Sequence, residues 1–313
     1  MANQLNSIAI DAMGGDNSPI KILKGAEIFS SKNENVLLNF FGDEKLIKFE
    51  IKNHNIKLKN YIITNTENNV LDDDNVTTII KNRKESSIFK GLEYVKANKD
   101  SGFVSAGNTA ALMILSRLIL GTIEGVDRPA ICSLIPNKKN FSVMLDLGAN
   151  VNVSSSNIFQ FALMGYSFFS TVKTNKKPKI GLINIGTENH KGLEVLQEAS
   201  DLINNSFLKD SYIGFIEPNR IYSGYCDIII SDGYTGNIML KTMEGLSKFI
   251  TDNLKIVFEK SFYNKLAYKI LQKDLISFKD RVNPEKYNGA LLIGLNGISI
   301  KSHGSASPYA FNC

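Results

Sequence analysis

Short apolar runs alternating with helix-period segments constrain this chain more than any other feature. The runs fall near Ser7–Ala12, Val36–Phe41, Tyr61–Asn65, Phe103–Ser105, Ala130–Ile135, Ser142–Leu147, Lys179–Asn184, Tyr212–Phe215, Asp227–Ser231 and Gly297–Lys301. Helical patterns lie between them near Pro19–Ser30, Ser86–Asn98, Asn108–Gly121, Ser154–Thr171, Leu193–Asn204 and Gly236–Phe258. Runs such as Ile228-Ile229-Ile230 are apolar on both faces, so they read as strands covered on both sides. Strands and helices in alternation give an α/β chain with a mostly parallel sheet, whose ligands sit at the carboxyl ends of the strands. There is no internal repeat and no long low-complexity linker; Lys173–Lys177 is a short polar seam, and Asn65–Asn69 reads as a loop. At 313 residues the length allows one large domain or two smaller ones. We read residues 1–313 as a single catalytic α/β domain, with 245–286 as a basic amphipathic helical protrusion.

The polar residues sit where such a sheet places its ligands. Asp232-Gly233-Tyr234-Thr235-Gly236-Asn237 follows Ile228–Ile230 and opens a helix running to about Phe258. A strand, a Gly turn and a helix start present backbone N–H groups and a dipole end that suit an anion. Asp11-Ala12-Met13-Gly14-Gly15-Asp16 repeats the design, although a tight turn capped by Asp16 or Ser18 with Pro19 in the first helical turn explains much of it. In Ser105-Ala106-Gly107-Asn108-Thr109, hydroxyl and amide groups stand ready for phosphate oxygens, or Asn108 or Thr109 simply caps the helix. Asp146 in Leu145-Asp146-Leu147-Gly148-Ala149-Asn150 lies in an apolar run and needs a role; capping nearby N–H groups is one. Asn184-Ile185-Gly186-Thr187 is followed by Lys191, which reads either as the neutraliser of a dianion or as a solvated charge. Lys301-Ser302-His303-Gly304-Ser305 carries the best placed of the three histidines for proton transfer or phosphate donation. His54 reads as surface, and His190 stands in a polar turn beside Lys191.

Several classes drop out. Cys132, Cys226 and Cys313 form no C-x-x-C pair, which argues against a disulfide framework or structural zinc and fits a reducing cytoplasm. There is no G-x-S-x-G elbow, Walker A loop or H-E-x-x-H helix, so covalent hydrolase, P-loop and zinc-protease chemistries lack their signatures. Cys132 and Cys226 lie in or beside apolar runs and read as packing. Attack by phosphate itself on a bound acyl group needs anion positioning and an oxyanion donor, and the strand ends offer both. The polar stretch Met1–Ser7 leads straight into a strand, unlike a secretory leader. The most apolar helical stretch, Ala110–Leu120, is broken by Arg117, so no span is expected. Net charge is +5, and Gly245–Lys286 holds eight Lys and one Arg against three Asp and two Glu, a balance of +4. Excess charge confined to one appendage is unlike a nucleic-acid binder. Leu246, Phe249, Ile250, Leu254, Val257, Phe258, Phe262, Leu266, Ile270, Leu271, Leu275 and Phe278 follow helical spacing there among lysines. Such a surface suits anionic lipid, an acidic carrier protein, or packing between two copies.

The strand-end motifs, together with Asp127-Arg128-Pro129-Ala130 and Leu240-Lys241-Thr242-Met243-Glu244-Gly245, occur in an order that resembles the bacterial phosphate acyltransferase family, acyl-ACP:phosphate acyltransferase. The likeness covers essentially the whole chain. It implies a three-layer α/β/α fold like phosphotransacetylase and isopropylmalate dehydrogenase, here with a protruding helical hairpin. The implied reaction takes an acyl group from acyl carrier protein (ACP) to inorganic phosphate, giving acyl phosphate for phospholipid synthesis. The resemblance further implies no cofactor and no metal, a homodimer, a cytoplasmic site with peripheral contact to anionic membrane, and a downstream glycerol-3-phosphate acyltransferase as a partner. The chain departs from the usual pattern at Ala110 (usually Gly), Asn152 (usually Asp) and Glu217-Pro218-Asn219-Arg220 (usually Glu-Gly-x-Asp). Relatives usually continue past the position of Cys313 with a further helix.

On this reading Lys191, Asp232, Asn237 and His303 are the candidate catalytic residues, with Asn237 as oxyanion donor. Asp11, Gly14, Gly15, Ser105, Gly107, Asn108, Thr109, Asp146, Asn150, Asn184, Gly186, Gly233, Gly236 and Ser302 are candidates for holding phosphate and acyl group. A phosphotransacetylase-like enzyme using acyl-CoA shares these motifs, and a non-catalytic membrane or ACP scaffold is the reading from another class. A dehydrogenase lacks its G-x-G-x-x-G and its metal-binding aspartates here.

Overall fold

The computed structural model describes residues 6–68, 70, 74, 78–80, 84–173, 177–282 and 288–313. Residues 1–5 of the N-terminal stretch, 69 of the Asn-rich turn, 174–176 of the polar seam and 283–286 of the basic segment lie outside these. The chain forms two compact units: 1–133 with 288–313, and 134–287.

In the first unit, strands β1 (Ser7–Asp11), β2 (Leu37–Gly42), β3 (Tyr61–Asn65), β4 (Ser101–Ser105), β5 (Ala130–Pro136, which runs on past the division), β10 (Ala290–Ile293) and β11 (Ile298–Lys301) take the order β3-β2-β1-β4-β11-β10-β5. All pair in parallel except β10, which is antiparallel to both β11 and β5. Its helices are α1 (Ile20–Ser30), α2 (Glu44–Asn53), α3 (Ser87–Ala97), α4 (Thr109–Leu120) and α9 (Pro308–Asn312). Helix α3 lies close on β4 because Gly91 faces the buried Phe103 ring: a Cβ there would come 2.6 Å from the ring carbon Cδ2. Ser86 caps α3 by accepting from Phe89 N–H (3.3 Å), and Asn108 caps α4 by accepting from Ala111 N–H (3.0 Å).

In the second unit, β6 (Phe141–Leu145), β7 (Ile180–Ile183), β8 (Tyr212–Ile216) and β9 (Ile228–Ile230) pair in parallel in the order β6-β9-β7-β8. Helices α5 (Ser155–Val172), α6 (Glu194–Asn204), α7 (Gly233–Glu259) and α8 (Phe262–Val282) complete it, with a 3-10 turn at Pro218–Ser223. Ile228, Ile229 and Ile230 are fully buried, as a strand apolar on both faces requires. Helix α5 starts in a capping box, with Ser154 Oγ accepting from Asn157 N–H (3.2 Å) and Asn157 Oδ1 accepting from Ser154 N–H (3.1 Å). Cys226 is buried, donates to the Ile228 carbonyl (2.7 Å), and has its thiol pushed up to about 12 by burial, so it is packing.

The structure departs from the sequence reading at several elements. Helix α2 went unread because its charges hide a single buried anchor, Ile47, although Asp43 caps it by accepting from Lys45 and Leu46 N–H (2.9 and 3.0 Å). Strand β10 is a four-residue run between Gly289 and Gly294, too short to show a period, and pairs antiparallel with β11 and β5; α9 is a single short turn after Ser307. Helix α7 begins at Gly233, a turn earlier than Gly236, because Asp232 is its cap. Neither Asp16 nor Ser18 caps α1: Pro19 holds the cap position with no side-chain bond, and Ser18 Oγ instead donates to the Gly14 carbonyl (2.5 Å).

Candidate active site

The first unit builds a cavity at the N-terminal end of α4. An open cavity of about 350 Å³ is lined by Gly15, Asp16, Ala106, Gly107, Asn108, Thr109, Ala110, Lys301 and Gly304. Three strand ends meet there, because β1 pairs with β4 and β4 with β11, all running parallel. Beneath the cavity Asp11 is buried. Ser105 Oγ donates to its Oδ2 (2.6 Å), Met13 N–H donates to its Oδ1 (3.1 Å), and Gly107 N–H donates to Ser105 Oγ (3.0 Å). Burial raises the Asp11 pKa; the Ser105, Ser87 and Met13 hydrogen bonds and the Lys301 charge act against it. Gly14 has no room for a side chain, since a Cβ would stand 2.6 Å from Gly107 N and closer still to the Asp11 carboxylate. Asp11, Ser105 and Gly14 thus form the floor that holds Gly107 at the cavity, and the Ser105 hydroxyl is already engaged on both sides.

Two lysines bind the walls. Lys301 Nζ donates to the carbonyls of Ser302 (2.6 Å) and Ala106 (3.2 Å). Lys21 on α1 donates to the Gly304 carbonyl; burial lowers its pKa, with Asp16 acting the other way. Gly304 also accepts from Asp16 N–H (3.0 Å). Ser302 is buried and accepts from Asn288 Nδ2 (2.9 Å). His303 is exposed, and its Nδ1 meets Ser305 Oγ at 2.9 Å and accepts from Ser305 N–H (3.2 Å), so the ring organises its own turn. Neither Ser302 nor His303 lines the cavity, whereas Lys301 does. Lys301 was legible as the polar end of an apolar strand; Lys21 reads as one more charge on a surface helix and gave no signal.

The second unit builds its own strand-end cluster. Asp146 is buried, and its carboxylate accepts from Gly148 N–H (3.2 Å), Ala149 N–H (2.9 Å), Asn150 N–H (2.7 Å) and Asn150 Nδ2 (2.9 Å). That is the capping role, in its fullest form: the carboxylate staples its own loop. Gly233 N–H donates to the Asn150 carbonyl (2.8 Å), which docks the start of α7 on this loop. Gly236 must be glycine, because a Cβ would collide with the Asp146 carbonyl and stand 2.7 Å from Ser231 Oγ. Asp232 caps α7 by accepting from Thr235 N–H (2.8 Å) and Thr235 Oγ1 (2.6 Å). Asn237 is exposed and packs over Gly148. At the end of β7, Asn184 is buried; its Oδ1 accepts from Ile185 N–H (2.9 Å) and its Nδ2 donates to the Lys191 carbonyl (2.9 Å). Lys191 lies across Gly186, with its ammonium 2.6 Å from Glu188 Oε1, a bond that holds the Glu188 carboxyl below its ordinary value. Asp146, Asn150, Gly233 and Gly236 therefore come together, as do Asn184, Gly186 and Lys191. Among the described residues no group of three or more His, Cys, Asp or Glu side chains is arranged to hold a metal ion.

Residues 6–313 match the family model described as fatty acid synthesis protein. The chain belongs to that family. Family relatives named phosphate acyltransferase include those of Magnetococcus marinus, 39% identical over 308 residues (97% of this chain, 88% of the relative), and Pelagibacter ubique, 39% over 311 residues (99% and 93%). That of Rhodospirillum rubrum is 37% identical over 312 residues (100% and 89%). Among solved structures, the EutD phosphotransacetylase from Staphylococcus aureus superposes with a TM-score of 0.61 at 16% identity (98% of this chain, 91% of that one). A phosphotransacetylase from Streptococcus pyogenes gives 0.63 at 16%, with the same coverage. The family member described here therefore has the phosphotransacetylase fold, an α/β/α architecture on a mostly parallel sheet, as its strand pairing requires.

Proposed function

We propose that this protein transfers a fatty acyl group from the thioester of acyl carrier protein to inorganic phosphate. The observation that carries the reading is the cavity at the head of α4, where Gly107, Asn108, Thr109 and Lys301 surround a space suited to a small anion, in a chain whose relatives are named phosphate acyltransferase. A phosphate oxygen attacks the thioester carbonyl carbon. The new C–O bond forms, the C–S bond breaks, and the electron pair leaves on the carrier thiolate, so atoms and charges balance with no further reactant. A thiolate leaves readily, and catalysis reduces to positioning and oxyanion stabilisation.

In this assignment Gly107, Asn108, Thr109 and Lys301 hold phosphate, with Asp11, Gly14, Gly15 and Ser105 as the supporting floor. Asn237 donates to the thioester oxyanion, and Asp232 fixes the start of the helix that carries it. Asp146, Asn150, Gly233 and Gly236 hold that turn in place. Lys191, set by Asn184 and Gly186, supplies positive charge once Glu188 gives way, and Ser302 and His303 hold the turn that follows Lys301. The deciding assay follows free thiol released from palmitoyl-ACP with and without inorganic phosphate, trapping acyl phosphate with hydroxylamine. Phosphate-dependent release is expected. Turnover of palmitoyl-CoA but not palmitoyl-ACP would move the donor to CoA, and no turnover of either by folded protein would remove the enzymatic reading.

The helices α7 and α8 support two further parts of the proposal. Phe249, Ile256, Phe262, Tyr263 and Ile270 are exposed along them, interleaved with Lys248, Lys255, Lys260, Lys265, Lys269 and Lys273. No helix among the described residues is long and apolar enough to cross a membrane. The pair suits contact with anionic lipid and pairing with a second copy of the chain. Flotation with anionic liposomes is expected to fall in the Leu266→Glu/Ile270→Glu variant; unchanged flotation would sink the lipid contact, and a monomer-sized wild type would sink the pairing.

A further inference from the structure

We infer that the carboxyl ends of β6, β9 and β7 carry a platform for the hydrocarbon chain of the acyl donor, made by Val151, Tyr234, Ile185 and Leu193. All four are large apolar residues, and all four face solvent: 61% of Val151, 61% of Tyr234, 77% of Ile185 and 65% of Leu193 is exposed. An exposed apolar residue alone means little, but a group of them at one place marks a binding surface.

Strand pairing gathers them. Leu145 pairs with Ile230 and Ile230 with Leu182, so the three strand ends lie side by side, roughly 10 Å from first to last at ordinary strand spacing. Val151 follows the loop after β6, and the Asn150 carbonyl accepts from Gly233 N–H, which sets Val151 beside Tyr234 at the start of α7. On the other flank Asn184 ties its own loop together through Ile185 N–H and the Lys191 carbonyl, so Ile185 and Leu193 leave the same turn.

The occupant follows from what is mixed with these side chains. Asn237, Lys191 and His190 are exposed on the same loops and helix start. A dry interface with a second copy would bury that amide and the Lys191–Glu188 pair along with the apolar groups, at a desolvation cost. A molecule with a polar thioester head and a long alkyl tail matches both sets at once. The inference rests on the acyl transfer proposed above and adds to it the part of the donor this surface selects.

The test compares the Ile185→Ser/Leu193→Ser variant with wild type on C16 and C4 acyl donors of the same carrier. Both positions are exposed, so the variant is expected to fold. The expected result is a loss of kcat/KM about tenfold greater for the C16 donor than for the C4 donor, since each apolar group withdrawn from the chain forfeits its burial. Equal losses on both donors, or no loss, would overturn the platform; so would a change of oligomeric state without a change in chain-length preference. A fluorescence titration with cis-parinaric acid, a long-chain fatty acid probe, reads the platform without turnover. Saturable binding that weakens in the double variant supports it even if the wild type transfers nothing to phosphate, and absence of saturable binding by wild type overturns it.

Discussion

Asp11 closes β1 in one unit and Asp146 follows β6 in the other; both are hidden from water, and they are used in opposite ways. Asp146 accepts from four N–H donors of its own loop. Asp11 has one backbone donor and two hydroxyls, those of Ser105 and Ser87, and burial prevails over them and over Lys301, raising its pKa. The same residue type at a strand end is thus a loop staple in one unit, where all its donors come from one loop, and the floor of a cavity in the other, where they come from three separate segments.

Removing each carboxylate should break the comparison most sharply. Asp146→Ala removes the acceptor of four donors, two of them on the buried Asn150, and is expected to cost about 4 kcal/mol, read from urea midpoints. Asp11→Asn keeps an acceptor for Ser105 and should cost far less, about 1 kcal/mol near neutral pH. The difference between wild type and Asp11→Asn should also depend on pH. A carboxyl with a raised folded-state value contributes stability that is fully present below the unfolded value of 3.8 and is lost as pH rises through the folded value. Wild type should therefore gain on the Asn variant as pH falls from 8 toward 4; a pH-independent difference would mean that burial does not raise the Asp11 value.

The next effect concerns cations. Lys301→Gln should raise the KM for phosphate about tenfold with little change in the KM for the acyl donor, as loss of one charged hydrogen bond to an anion predicts. An unchanged phosphate KM would move the anion away from the α4 cavity. The smallest effect belongs to Lys191, whose partner is exposed: Glu188→Gln should leave the urea midpoint unchanged. If Lys191 serves phosphate, freeing it should lower the phosphate KM; a rise would show that the pair itself is needed.

Most of the parallel framework was legible because a strand buried on both faces has to be apolar at every position, and Ile228–Ile230 is. Helix α2 was not, because one buried isoleucine among charges gives no periodic stripe, and β10 was not, because four apolar residues between Gly289 and Gly294 are too short a run to fix a period. The candidate site was legible as a set of strand ends rich in Gly, Asp and Asn. Within it, Ser105 and Ser302 read as ligands and are engaged by Asp11 and Asn288, while Lys301, next to the candidate Ser302, lines the cavity itself.

The sequence by itself determined the alternation of strands and helices, the glycines on which close backbone approach depends, and the family, since all of these are properties of local chemistry and order along the chain. Only the tertiary structure decided which polar groups are spent on one another and which line an open space. That allocation depends on donors and acceptors brought together across Asp11 to Ser105, Lys21 to Gly304 and Lys301 to Ala106, and a hydrogen bond between residues far apart in sequence leaves no local trace.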